Sequence, residues 1–266
     1  MISFTLLKRN MKTCFKPFLV VLAVISMYTS VIIYMYNPDF SDIFNEYQKM
    51  MPGVMAAAGM TGLASSLLEW IQIYLYGFIM MLFPLIFIII MIHKLLMGDI
   101  DSGSMANLLS TGNSRGRVIR TQVVSALFWI VLLLGMVAAV GIASSEAIFP
   151  GELDIKRYLI LNASAMFMQF AVAGISFAAA CVFSETRHYY MVGAGLPLLF
   201  FLIQMVSNMG EKLENLKYVT IYTLFSANDI VAGEAVHWGQ NAVLLLLAAA
   251  LFGTGSWWFV RRDLSL

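Results

Sequence analysis

The sequence predicts an all-α polytopic membrane protein with six transmembrane helices, and three observations carry that reading. Of 266 residues, 61% are hydrophobic and only 12% are charged, whereas a soluble domain has roughly 45–50% apolar and about 25% charged residues. Half the usual charge cannot cover a water-facing surface, which excludes a cytosolic enzyme, a secreted disulfide scaffold and a disordered regulator. Second, the apolar residues gather into continuous charge-free runs rather than alternating, so the spans are helices and not barrel strands. Third, the sparse charges segregate between alternate loops. The two cysteines, Cys14 and Cys181, form neither a disulfide framework nor a metal motif. The whole chain, 1–266, reads as one transmembrane domain.

A membrane helix needs about 20 mostly apolar residues. Six runs qualify: Phe18–Tyr36, Ile73–Ile92, Val123–Ala143, Tyr158–Phe183, Tyr189–Ser207 and Ala242–Val260. Before the first span, Phe4, Leu7, Met11 and Phe15 share one side of a helix while Lys8, Lys12 and Lys16 recur every four residues on another. That pattern predicts an amphipathic elbow helix lying in the membrane interface. The first span itself is longer than a signal-peptide core and reads as an anchor. Val54–Leu68 is charge-free but short, and reads as a helix that starts after Pro52 and lies on the outer side, packed on the bundle. Val219–Ala227 is too short to cross and reads as an interfacial or re-entrant piece.

Six crossings place both termini on one side, and the positive-inside rule selects the cytoplasm. The inner segments then hold Lys8, Arg9, Lys12, Lys16, Lys94, Arg115, Arg117, Arg120, Arg187, Arg261 and Arg262, eleven of the sixteen basic residues. Of the fifteen acidic residues only Asp99, Asp101, Glu185 and Asp263 fall there. A net charge of +1 therefore averages two compartments of opposite sign.

The longest inner loop separates the second and third spans. Ser102 or Ser104 suits a helix N-cap, with Asp99 and Asp101 near its positive end. Met105, Leu108 and Leu109 form an apolar stripe on that short helix. Such a helix either packs under the bundle or presents its stripe to the groove of a cytoplasmic partner.

The run from Asp99 to Arg115, with its acidic pair, Gly103, Leu108-Leu109-Ser110 and Ser114-Arg115, resembles the signature of ABC-2-type exporter permeases. The six-span count, Pro52-Gly53 in the first outer loop, the Lys-rich lead-in and the ending Arg261-Arg262-Asp263-Leu264 extend the resemblance over essentially the whole chain. Asp99 and Asp101 stand where the family usually has glutamates, which keeps the charge and shortens the reach. The resemblance implies a half-transporter that pairs with a second copy of itself and docks two copies of a cytoplasmic ABC ATPase, in which ATP and Mg would be bound. It implies ATPase contact through a coupling helix, with Asp99, Asp101, Met105, Leu108, Leu109, Ser110 and Arg115 as docking residues. Spans one, two and five would line the translocation path, offering Met27, Tyr28, Tyr34, Gln72, Tyr74, Gln204 and Met205. Relatives of this compact form export bacteriocins, peptide toxins and antibiotics, so the expected cargo is an amphipathic peptide or a hydrophobic drug leaving a bacterial cell through the plasma membrane.

The chain has no phosphate-binding G-x-x-x-x-G-K-[ST] loop, so it is expected to bind no nucleotide itself and no other cofactor. His93, His188 and His237 fall on both sides of the predicted bundle, which leaves no metal or acid–base cluster and no catalytic residues. Nothing in the pattern points to nucleic acid; lipid is the expected surroundings. An ion-coupled secondary transporter is the main alternative, weakened by spans without an interior charge. A membrane scaffold or immunity protein that binds a peptide without transporting it is a third reading.

Overall fold

The long charge-free runs become six helices in a computed structural model that describes residues 2–36, 46, 50–60, 64–110, 113–209, 211–235 and 237–262. The helices are α1 (Phe4–Tyr34), α2 (Ile79–Asp101), α3 (Arg115–Ile148), α4 (Ile155–Val182), α5 (Thr186–Ser207) and α6 (Trp238–Arg261). All are long and apolar enough to cross a membrane. At 1.5 Å per residue the 34-residue α3 is about 51 Å long, so it projects beyond the hydrocarbon and carries Arg115, Arg117 and Arg120 into the interface.

The lead-in does not form a separate elbow. Phe4 to Tyr34 is one unbroken helix that includes Pro17. Its packed face also differs from the expected one: Leu6, Asn10, Cys14, Phe18, Val21 and Ile25 are buried, whereas Phe4 and Phe15 are exposed. The reason lies on α3, where Gln122 and Ser125 are buried. Asn10 Nδ2 donates to Gln122 Oε1 at 2.6 Å and to Ser125 Oγ at 2.8 Å. In an apolar interior these polar groups must meet each other, and that turns the helix.

α4 occupies the centre, with contacts to α2, α3, α5 and α6. Its apolar window is 67% buried against 22% for α5, so α5 is a peripheral helix. Small residues let α6 approach α4 closely. A Cβ on Gly174 would meet Leu251 Cβ at 2.9 Å, and one on Gly255 would meet Ala178 Cα at 3.1 Å.

Contacts between helix ends place the start of α1 and the end of α6 at one end of the bundle, called the termini end below. Ser3 N donates to Thr121 Oγ1, Arg9 pairs with Asp99, Arg115 Nη1 donates to the Arg262 carbonyl, and Arg262 Nη1 donates to the Phe183 carbonyl. Thus the starts of α1, α3 and α5 lie beside the ends of α2, α4 and α6. At the opposite end the chain adds short helices at Pro52–Ala57, Leu67–Ile71 and Ala227–Ala232, and 3-10 turns at Glu211–Val219 and Ile221–Leu224. Within Val219–Ala227, read as interfacial or re-entrant, Tyr222 and Phe225 are buried in the bundle, as are Ile230 and Val231 of the helix that follows.

Candidate functional site

Two spans depart from regular helix. α2 carries a π-helical stretch at His93–Met97, another precedes it at Gln72–Tyr76, and α5 has one at Tyr190–Ala194. Each span also contains one proline, Pro84 or Pro197. A proline has no N–H, so the carbonyl four residues earlier loses its helical donor. Those carbonyls belong to Met80 and Gly193. α4 supplies both missing donors: Gln169 Nε2 donates to Met80 O at 3.1 Å, and Ser176 Oγ donates to Gly193 O. Gln169 and Ser176 are two helical turns apart on one face. The central helix thus satisfies the broken backbone of both irregular spans.

α2 and α5 are clamped together at the termini end. Tyr189 Oη donates to Ile89 O at 2.9 Å, and His93 stacks on Tyr190 with ring centroids 5.4 Å apart. Asp101 Oδ2 accepts from Thr186 Oγ1 at 2.8 Å, and Asp101 Oδ1 accepts from Thr186 N at 3.2 Å. Glu185, the residue in the N-cap position of the α5 start, makes no side-chain cap bond. Asp101 takes that role from the neighbouring span.

At the other end the same two spans border a cavity of about 440 Å³. Gln72 and Tyr76 enter it from the π-helical stretch before α2, Met81 from α2, Gln204 and Met205 from the end of α5, and Asn208 from just beyond it. The segment from Lys217 to Asp229 and Gln240 at the start of α6 complete the wall. Phe78–Phe201, Tyr76–Phe225 and Phe201–Tyr222 ring contacts at 5.6, 6.1 and 5.9 Å tie these elements together. Gly59 and Gly77 allow the 57–59 turn to cross the start of the span, for a Cβ at Gly77 would stand 2.7 Å from Ala58 O. Gln204 Oε1 accepts from Thr220 Oγ1 at 2.8 Å and from Thr223 Oγ1 at 3.3 Å. Amides and hydroxyls therefore line much of the cavity, with one lysine and one aspartate, beside the apolar Met81, Met205, Phe201 and Phe225.

The structure brings Gln72, Gln204 and Met205 of the expected path residues together in this cavity. Tyr74 points away, buried against Trp70 and Ile73. Residues two apart on a helix face opposite sides, so Gln72 and Tyr74 cannot both line one chamber. Met27, Tyr28 and Tyr34 lie exposed on the outside of α1, away from the cavity.

At the termini end, the short helix forms at Ser104–Ser110. Gly103, at φ +70°, makes the turn that separates it from α2. Thr111 and Gly112, which follow it, lie outside the described residues, as does the C-terminal stretch from Asp263. Of the expected docking residues, Met105 is fully enclosed by its own chain and Leu108 and Leu109 are half-buried against the core. The apolar stripe faces the bundle, so Met105 offers no docking surface. Asp99 pairs with Arg9 and accepts from Ser104 Oγ at 3.0 Å. Arg115 reaches the Arg262 carbonyl, and Ser110 Oγ returns to Asn107 O. The outward surface of the helix is polar, with Asn107 and Ser110 exposed. Among the described residues, no three of His, Cys, Asp and Glu converge as a metal site requires.

Compared with known protein families, curated proteins and solved structures, the chain matches none.

Proposed function

We propose that this chain is the membrane-spanning subunit of an ATP-driven exporter that works as a pair with two cytoplasmic ATPase subunits and moves amphipathic peptides or hydrophobic drugs outward. The reading starts from the resemblance of the Asp99–Arg115 loop to ABC-2-type permeases. One observation carries it further: the short helix Ser104–Ser110 is bonded to the end of α2, which is itself tied to two further spans. It continues from α2, Asp99 links its first turn to Arg9 of α1, and Asp101 caps α5. A partner that displaces this helix would act together on α2 and α5, the two spans that border the cavity at the opposite end. The prolines and π-helical stretches in those spans give places where such motion is absorbed.

With Met105 enclosed, docking falls to the polar face around Asn107 and Ser110. Asn107→Trp would block that face without touching the core. The measurement is co-purification of the ATPase with the chain from its native membrane, alongside the thermal midpoint of the chain. Loss of the ATPase at an unchanged midpoint is expected. Wild-type chain that brings down no ATPase would sink the exporter reading. An ion-coupled transporter has weaker support, since the six spans contain no charged residue in their apolar interiors.

A further inference from the structure

We infer that the cavity between α2 and α5 is a binding site for peptide, and that it recognises backbone amide groups. Four cavity-lining residues carry a buried polar atom without a hydrogen-bond partner among the described residues: Tyr76 Oη, which lies toward Tyr158, and a set of three, Tyr222 Oη, Ser226 Oγ and Gln240 Oε1. Tyr222 is only 1% exposed. A buried polar atom left unpaired costs stability, and three around one hollow mark groups kept ready for something that enters it. Their chemistry defines what enters. Gln240 Oε1 only accepts, so the ligand must donate, whereas the two hydroxyls both donate and accept. Gln72 adds a carboxamide at the rim with the same dual capacity.

A peptide backbone presents N–H and C=O groups in alternation and satisfies this set. Met81, Met205 and Phe201 line the same space, giving side chains of varied shape an adaptable apolar contact. Competing chemistries fit less well. A phosphate or polyanion would meet Asp229 as well as the single lysine, Lys217. A sugar needs an open aromatic face, and the rings of Phe201, Tyr222 and Phe225 are buried against one another and against α2. A wholly apolar drug would bury the three unpaired atoms without satisfying them.

As a statement about cargo, this inference rests on the exporter reading; as a statement about binding, it stands on the cavity. The test uses the full chain in lipid nanodiscs without any ATPase, with N-acetyl-tri-alanine amide as the probe and maltose as its hydroxyl-rich counterpart. Equilibrium dialysis should show saturable binding of the blocked tripeptide and none of maltose. Tyr222→Phe and Gln240→Leu should each weaken it about fivefold, the worth of one hydrogen bond. The same variants should leave the thermal midpoint of the empty chain unchanged or raised, because the atoms removed had no partner. Absence of saturable tripeptide binding, preference for maltose, or wild-type affinity in both variants would overturn the proposal. So would a lowered midpoint in both variants, which would make the two groups structural. ATPase co-purification is read separately, so either assay can fail without deciding the other.

Discussion

Gln169 shows how one side chain supports an irregular span. Its amide hydrogen takes the place of the one Pro84 lacks, and its own Oε1 has no partner among the described residues. The cost of Gln169→Leu therefore mixes a stranded Met80 carbonyl with relief of an unpaired oxygen. A net loss of about 1 kcal/mol is expected, in the range of buried polar contacts in membranes. The double-mutant cycle isolates the carbonyl. In a Pro84→Ala background the helix supplies its own N–H, so Gln169→Leu should become neutral or stabilising in unfolding measurements. An undiminished cost there would mean that Gln169 does not act through the proline. Outside the spans, Glu69 accepts from Ser65 Oγ at 2.7 Å and Ser65 N at 2.6 Å, while Ser66 Oγ accepts from Glu69 N at 3.3 Å. The Ser65 hydroxyl first, then its backbone N–H, hold the Glu69 carboxyl below its ordinary range. Protonation must break those bonds, so their contribution is fully present above the ordinary carboxylate pKa and is lost as pH falls through the lowered value. Hydrogen exchange at the Ser65 amide should rise across that acidic window in the native chain and be insensitive to pH-linked opening in Glu69→Gln.

At the scale of elements, Asp101 joins two spans by capping a helix that is not its own. Asp101→Ala should fray the first turn of α5 and destabilise the chain by about 1 kcal/mol, the usual worth of an N-cap. Faster amide exchange confined to Thr186 and the next turn would mark the loss, and Asp101→Asn, which keeps an acceptor, should restore much of the protection. The existence of the six helices was legible because a charge-free run of twenty residues has few other uses. Their faces were less so. The spacing of Phe4, Leu7, Met11 and Phe15 describes a local stripe, but the packed face of α1 follows Asn10, whose partners Gln122 and Ser125 lie more than a hundred residues away. The stripe of Met105, Leu108 and Leu109 was readable as apolar. Which way it turned was not, since that depends on where α1 begins and α2 ends. Gln72 and Gln204 stood out as amides in apolar runs. Tyr222, Ser226 and Gln240 did not, because nothing local shows that their segments fold back over α2 and α5.

For the whole molecule, the shared position of the termini turns a sequence rule into a test with two labelled points. The start of α3 gathers Arg115, Arg117 and Arg120 at the same end as Lys8, Arg9 and Arg261, while around the α3–α4 turn at the opposite end Glu146, Glu152 and Asp154 outnumber Lys156 and Arg157. Positive charge is retained on the cytoplasmic side, so the termini end should face the cytoplasm and the polar cavity should open outward. The native thiols give a silent background, for Cys14 and Cys181 are free and wholly enclosed. Glu152→Cys and Asn107→Cys place a single exposed thiol at opposite ends. In intact cells a membrane-impermeant maleimide should label Glu152→Cys and leave Asn107→Cys untouched until the membrane is permeabilised; wild-type chain should stay unlabelled throughout. The reverse pattern would put the Ser104–Ser110 helix outside the cell. No cytoplasmic ATPase could then reach it, and the exporter reading would fall, while the cavity and its unpaired atoms would face the cytoplasm with their binding chemistry unchanged.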